Sequence, residues 1–324
     1  MVVLREYLQR RVVPALVTLF VVMTLNFLLF HAMPGNPFTL LIRDPRMPPE
    51  MRAKLAHAYG LDAPLQVQFL LYFQNAFTGN LGISLVYKIP VTALVSERLI
   101  NTLILVTPAT ILSILIGTAI GLLSGWKRGG KREVGALLFS LVAYSLPVFW
   151  LGMIFIMFFA VTMRSFPTSG ILTYGLTYPN FLSYLSDLAA HLVLPTSVLT
   201  LVLLGQYALI MRSSAVDVLS QDYVLTARAK GFSESRIVRT TVLRNALLPL
   251  ITLIGLNLGL IVAGAIQTET VFSYPGVGRL VYESVVTRDY PVLEGAFLAI
   301  SVSVIVANLI TDLLYAYFDP RVRY

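Results

Sequence analysis

Six long apolar stretches constrain this chain more than any other feature of its sequence. A helix of about 20 apolar residues crosses a bilayer while its backbone polar groups bond to one another. Six stretches meet this requirement, at residues 12–33, 99–125, 135–163, 192–211, 247–266 and 292–317. Only 12% of the 324 residues are charged, whereas soluble domains carry about 25%. The sequence therefore predicts an all-α polytopic membrane protein with six transmembrane helices.

The residue types that are rare in this chain exclude several kinds of site. Cysteine is absent, which excludes disulfides, thiolate metal sites and thiol nucleophiles. The three histidines, His31, His57 and His191, do not share a helix-face spacing, so an all-histidine metal site is not expected. We predict no metal site and no catalytic residue. A net charge of +8 raises the question of nucleic-acid binding.

The positions of the basic residues answer that question and predict the orientation. With the N-terminus inside, 15 of the 24 Lys and Arg residues lie in short cytoplasmic pieces and 3 in short external ones. Positive charges beside membrane spans stay on the cytoplasmic side. We therefore expect both termini in the cytoplasm, and no nucleic acid is needed to explain the charge.

The segment between the first two spans is predicted to be external and partly helical. Helix breakers at residues 33–37 end the first span. One short helix is expected from Pro48 to Gly60 and another, rich in aromatic residues, at residues 64–77. The predicted regions are the N-terminal tail and first span (1–33), the external segment (34–98), a core of five spans (99–317) and a cytoplasmic tail (318–324).

The largest cytoplasmic connection, residues 212–246, is the most informative part of the sequence. On a helix, Tyr223, Ala227 and Gly231 share one face, and two of the three are small, so another surface can approach closely. Gly231 is placed to end this helix in a left-handed conformation, and Ser233 to cap the next one. These features favour a docking helix for a soluble partner; the alternative is an ordinary positively charged loop with helix caps.

The string at residues 223–231 resembles the EAA loop of ABC importer permeases, in the form typical of the dipeptide/oligopeptide group. Further similarity covers nearly the whole chain. The matching blocks are residues 31–37, 59–65, 79–84, 145–152, 244–249, 269–279 and 318–321. The Glu-Ala-Ala triplet falls on Leu225, Thr226 and Ala227, so the acidic residue is missing, which is usual in the peptide group. The chain thus resembles the B-type membrane subunit of a peptide importer.

This resemblance implies a six-helix permease that works within a larger assembly. A second, homologous permease would complete the translocation path, two cytoplasmic ABC ATPases would bind ATP and Mg²⁺, and an extracytoplasmic substrate-binding protein would deliver substrate. This chain would bind no cofactor itself and would lie in the cell membrane. The helix at residues 221–231 would contact an ATPase. The coupling residues are then Asp222, Tyr223, Thr226, Ala227, Arg228, Ala229, Lys230 and Gly231.

Polar residues within spans are costly, and they are therefore candidates for a translocation path. Five are identified in the spans: Asn26, Gln206, Asn257, Asn308 and Asp312. Hydrogen bonding between helices is the alternative role for each. Glu269, beyond the fifth span, would line an outer gate or contact the binding protein; the alternative is a solvated loop carboxylate. We select Gln206, Asn257, Glu269 and Asn308 as candidates for the path or gate.

Two other classes of function are less well supported. The turn at residues 125–132 nearly fits a phosphate-binding loop, but Arg132 replaces the hydroxyl that binds magnesium, and no strand precedes it. We therefore expect no ATP site in this chain and no enzyme activity of its own. A self-contained secondary transporter would favour internal repeats and charges within spans, of which we identify only Asp312. Within the importer class, nickel, glutathione or oligosaccharide remain alternative cargoes to peptides.

Overall fold

A computed structural model describes residues 2–32, 48–50 and 63–318 of the chain. In these ranges the chain is helical, with turns and loops between the helices and no β-strand beyond an isolated bridge of Ile83 with Pro90. The predicted helix at 48–60 and the tail at 318–324 lie largely outside the described residues.

The helices are α1 (Val2–Ala32), α2 (Leu65–Thr78), α3 (Val91–Trp126), α4 (Lys131–Ser145), α5 (Val148–Phe155), α6 (Phe181–Leu219), α7 (Asp222–Ala229), α8 (Glu234–Ile237), α9 (Leu243–Gly264), α10 (Ile266–Val271), α11 (Val277–Thr287) and α12 (Tyr290–Phe318). Two π-helical turns, Ile156–Thr162 and Val238–Val242, continue α5 and α8.

The described helices agree with a multi-span membrane protein. Five stretches are long and apolar enough to cross a bilayer, and a bent pair of helices raises the number to six. The five are Arg11–Phe30, Val91–Trp126, Phe181–Leu219, Glu234–Gly255 and Tyr290–Thr311. The all-helical, polytopic fold predicted from the sequence is therefore confirmed.

The predicted third span differs from a straight helix. Residues 135–163 fold as α4 and the α5 helix with its π-helical extension, and the two parts meet at an angle of 100°. The break falls at Leu146 and Pro147, whose backbones are extended. A proline ring disfavours helical geometry in the residue before it and removes one helical N–H donor, which accounts for the bend.

The chain divides into two compact units, which we describe separately. Unit 1 comprises Met1–Asn101 and Gly276–Val306. Its described core is aromatic: Phe27 packs edge-on against Phe69 of α2, with ring centres 5.2 Å apart, and Phe30 packs against Phe297 of α12 at 6.1 Å. These contacts connect α1 to α2 and to α12.

Unit 2 comprises Thr102–Pro275 and Ala307–Tyr324. It contains two buried clusters along α6. One surrounds Leu105, Val198 and Phe272, and the other surrounds Tyr207, Val224 and Leu250. The second cluster holds the short helix α7 against longer helices.

Three glycines allow α3 and α6 to pack closely within unit 2. Gly117, Gly121 and Gly125 recur at every fourth residue on one face of α3. A Cβ atom at Gly117 would lie 2.8 Å from the Leu204 carbonyl oxygen of α6, and one at Gly125 would lie 3.0 Å from the Arg212 carbonyl oxygen. Small residues at such spacing let two membrane helices approach backbone to backbone.

Candidate functional site

The short helix α7 begins after Gln221 and ends at Ala229, inside the predicted docking segment. Gly231 follows with φ of +79°, so the left-handed ending predicted for it is confirmed. The Phe232 N–H donates to the Ala227 carbonyl at 3.2 Å, and the Lys230 N–H donates to the Thr226 carbonyl at 3.0 Å. The carbonyl groups of Thr226 and Ala227 at the end of the helix are thus hydrogen-bonded, and the chain then turns toward α8.

The burial of α7 differs from the predicted small-residue face. Val224 is fully buried in the second cluster of unit 2, and Ala227 is partly buried beside it. Because Val224 and Ala227 are three residues apart, they form the inner edge of the helix. Ala227 is therefore not at the centre of an open face, and Gly231 lies beyond the helix end.

The outer face of α7 instead carries larger side chains. Tyr223 is 46% exposed and Leu225 is 65% exposed. The other exposed predicted coupling residues are Asp222, Thr226, Arg228, Ala229 and Lys230. Leu225 was not among the residues predicted to couple, although its position in the EAA-like string was a signal for it. A short helix that presents Tyr223 and Leu225 to solvent beside two cations is suited to binding another protein.

An ion pair across the turn braces the end of α7. The Glu234 carboxylate accepts two hydrogen bonds from Arg228, at 2.7 and 3.2 Å. The hydrogen bond from Arg228 to Glu234 raises the pKa of Arg228 above its usual range. Ser233 occupies the position before α8, but its side chain makes no capping hydrogen bond in the structure. That part of the prediction was wrong, and the Glu234 pair orders the turn instead.

The basic turn between α3 and α4 has a structural role within this chain. The Glu133 carboxylate accepts a hydrogen bond from the Gly129 N–H at 2.6 Å and pairs with the Arg212 guanidinium near the end of α6. The turn that nearly fits a phosphate-binding loop is therefore closed on itself by Glu133.

Two of the predicted path residues contact each other inside unit 2. The Asn257 side chain donates to the Gln206 amide oxygen at 3.2 Å and to the Tyr207 hydroxyl at 3.3 Å. Asn257 is buried and connects α9 to α6. This arrangement is the helix-to-helix hydrogen bonding that was the alternative role.

Glu269 is fully buried, contrary to the alternative of a solvated loop carboxylate. It lies in α10, where its carboxylate accepts a hydrogen bond from the Thr102 hydroxyl at 2.6 Å. Its backbone carbonyl accepts from the Tyr274 N–H at 2.8 Å. The sequence did not reveal this burial, because Thr102 is 167 residues away along the chain.

Two further polar residues were predicted near the end of the last span, Asn308 and Asp312. Asn308 is exposed on α12, and the side chain of Asp312 lies outside the described residues. The polar residues predicted within the spans do not include Glu294, a carboxylate in the first turns of α12. Among the described residues, no group of three His, Asp or Glu side chains is arranged to hold a metal ion.

Comparison with known proteins agrees with this architecture. Residues 117–324 match the family described as "Binding-protein-dependent transport system inner membrane component". Residues 4–106 match the N-terminal region described for the same kind of membrane component. The chain is also similar to a structure titled as the MetNI methionine ABC transporter, with a TM-score of 0.55 and 17% identity over 70% of this chain and 96% of that one. This structural similarity concerns the fold.

Relatives that match over nearly their whole length are named as permeases for peptides and glutathione. The oligopeptide transport system permease protein AppB of Bacillus subtilis is 39% identical, over 98% of this chain and 99% of its own length. The dipeptide permease DppB of Escherichia coli K12 is 36% identical with the same coverage. The glutathione permease GsiC of Salmonella choleraesuis is 37% identical, again over 98% and 99%.

These matches imply a translocation subunit of a multi-span inner-membrane transporter, without enzyme activity or a cofactor of its own. Such permeases work with an ATPase and a substrate-binding protein. The chain belongs to the family of inner-membrane permease components of binding-protein-dependent ABC transport systems.

Proposed function

We propose that this chain forms one half of the translocation path of an ATP-driven importer of di- and oligopeptides. The observation that carries the proposal is similarity over nearly the full length to relatives named as peptide permeases. A second, homologous permease forms the other half, two ATPases bind on the cytoplasmic side, and both termini are cytoplasmic. ATP and Mg²⁺ bind to the ATPases.

The helix α7 is the proposed contact with an ATPase. Its exposed face carries Tyr223, Leu225 and Lys230, whereas Val224 ties it to the core of unit 2. Because only one edge of α7 is packed, force applied to its outer face passes through Val224 to the long helix α6. Rigid-body movement of the helices would then expose the path alternately to the two sides.

Coupled ATP hydrolysis tests this contact. In the complete complex in proteoliposomes, we expect Leu225→Asp to leave membrane insertion unchanged and to lower peptide-stimulated ATP hydrolysis at least tenfold. A bulky residue at Gly231 should act in the same direction, through strain at its positive φ. The matched control is Leu176→Asp, because Leu176 is similarly exposed but precedes the opposite end of α6. Equal, normal coupling in all variants would remove α7 from the mechanism.

The alternative cargo with specific support is glutathione, because the GsiC relative is named for it. Glutathione is itself a small peptide, so this alternative changes the cargo within one chemical class. Purification of the complex with its binding protein, followed by mass spectrometry of the bound molecule, distinguishes the cargoes. Linear peptides support the proposal, whereas a nickel complex or an oligosaccharide would overturn the peptide assignment.

A further inference from the structure

A small cavity lies inside unit 1, between α2 and the first turns of α12. Its volume is about 50 Å³, which exceeds the space that a single buried water needs. Five of its lining side chains carry oxygen atoms: Gln68, Tyr72, Asn75, Asn80 and Glu294. Leucine side chains, including Leu71 and Leu298, also line it. The cavity therefore has both polar and apolar lining.

Glu294 is the ionisable group of this cavity. Its Oε1 atom is enclosed, and no donor in the described part of the chain lies within hydrogen-bond distance of it. The Asn26 amide that lies nearby is already used, because it donates to the Tyr72 hydroxyl at 3.1 Å and to the Glu294 backbone carbonyl at 3.2 Å. A buried carboxylate oxygen without a donor is costly, so a positively charged partner would stabilise it.

The neighbouring side chains add further acceptors beside the carboxylate. Gln68 directs its amide N–H to the Ala63 carbonyl at 2.9 Å, which leaves its amide oxygen as an acceptor. Asn75 and Asn80 each add an amide carbonyl to the lining. A partner with one positive charge and several N–H donors therefore matches this wall.

The size and lining of the cavity select among cations. A divalent metal prefers several carboxylate or other oxygen ligands in a regular cage, and this cavity has a single carboxylate. The compact volume of the cavity favours a small cation over a planar guanidinium with its five N–H donors. A primary ammonium has three donors, and the methylene attached to it would contact the leucines.

We propose that this cavity binds a primary ammonium group, with the Glu294 carboxylate as its counter-ion. Two sources carry this group: the headgroup of phosphatidylethanolamine, and the free α-amino end of a transported peptide. The second source rests on the proposed function, and the first does not. Asn26 acts as a positioning residue that holds Tyr72 and α12 at the cavity wall.

Thermal stability of the assembled complex tests the site. The complex is reconstituted in phosphatidylcholine nanodiscs, and the temperature at which this chain aggregates is followed by immunoblot. Methylammonium chloride should raise that temperature by about 2–4 °C when present at several times its dissociation constant. Tetramethylammonium chloride at the same concentration, which has no N–H donor, should not. An equal response to both salts, or no response, would overturn the proposal.

Variants connect the effect to the cavity. Glu294→Gln should abolish the response, and Ala76→Leu, which fills the cavity and keeps the carboxylate, should abolish it as well. Glu97→Gln removes an exposed carboxylate from α3 of the same unit and should leave the response intact. If Glu294→Gln does not fold, Ala76→Leu decides the outcome. A full methylammonium response in Ala76→Leu would contradict the site.

Two further arms separate the sources of the ammonium. If the headgroup is the source, phosphatidylethanolamine nanodiscs should raise the aggregation temperature of the wild type but not of Glu294→Gln. If the peptide is the source, trialanine should raise it in phosphatidylcholine without the binding protein, and N-acetyl-trialanine should not. A response in neither arm would reject both sources. Loss of ATPase coupling in the α7 variants is measured separately, so the two proposals fail independently.

Discussion

Two short helices of unit 2, α7 and α10, hold their charged residues in opposite ways. In α10, Glu269 is fully buried and bonded to the Thr102 hydroxyl. In α7, one residue, Val224, is fully buried, and Arg228 pairs with Glu234 at the surface. The Glu269 carboxylate of α10 is thus bonded within this chain, whereas the outer face of α7 presents Tyr223 and Leu225 to the surroundings. The difference supports the proposed role of α7 as a binding element.

The largest effect is expected in α10. Glu269→Ala removes the acceptor of a fully buried hydroxyl and leaves a cavity, so it should destabilise the chain by about 2–4 kcal/mol. Thermal or SDS-induced unfolding of the purified complex measures this loss. The control is Glu283→Ala, which breaks the partly exposed pair with Arg279 and should cost less than about 1 kcal/mol. Equal losses would mean that burial does not distinguish the two carboxylates.

An intermediate effect is expected at the buried edge of α7. Val224→Ala should cost about 1–2 kcal/mol, because it removes two buried methyl groups from the cluster around Tyr207. With one fully buried side chain in the helix, the loss should appear as local opening. Hydrogen exchange of residues 222–231 measures it. Leu225→Ala, which truncates a neighbouring but exposed side chain, should leave exchange unchanged; faster exchange in both variants would contradict the assignment of Val224 as the anchor.

The smallest effect is expected at the surface pair of α7. Arg228 and Glu234 are 42% and 48% exposed, so Arg228→Gln should change stability by less than about 1 kcal/mol. Any difference from the wild type should shrink as salt is raised, because the pair is screened by solvent ions. Unfolding of the complex in low and high salt is the measurement. A large, salt-independent loss would show that the turn depends on this pair more than on Val224.

The sequence predicted the parts of the molecule that depend on local composition. Apolar length located the spans, and Gly231 marked the end of α7 because only its backbone readily adopts a positive φ. Pro147 is a local signal for the bend, although the predicted span of residues 135–163 runs through it. The burial of Glu269 and the inner position of Ala227 had no local signal, because both depend on residues far along the chain.

The candidate site was predicted in outline and refined in detail. Similarity to the EAA loop predicts the segment, but the exposure of Leu225 follows from the inward packing of Val224, which depends on the tertiary structure. Gln206 and Asn257 are each predicted separately, because a polar side chain within a membrane span is energetically costly. The structure brings the two together as a hydrogen-bonded pair. Pairing between helices cannot be deduced from the composition of either one.

The most direct test of the central claim is whether an ATPase covers the outer face of α7. Because the chain contains no cysteine, single variants Leu225→Cys and Leu176→Cys each provide one thiol for maleimide labelling of this chain. We expect the ATPase subunits to slow labelling at residue 225 at least tenfold and to leave labelling at residue 176 unchanged. Equal labelling rates at residue 225 with and without the ATPases would contradict the account.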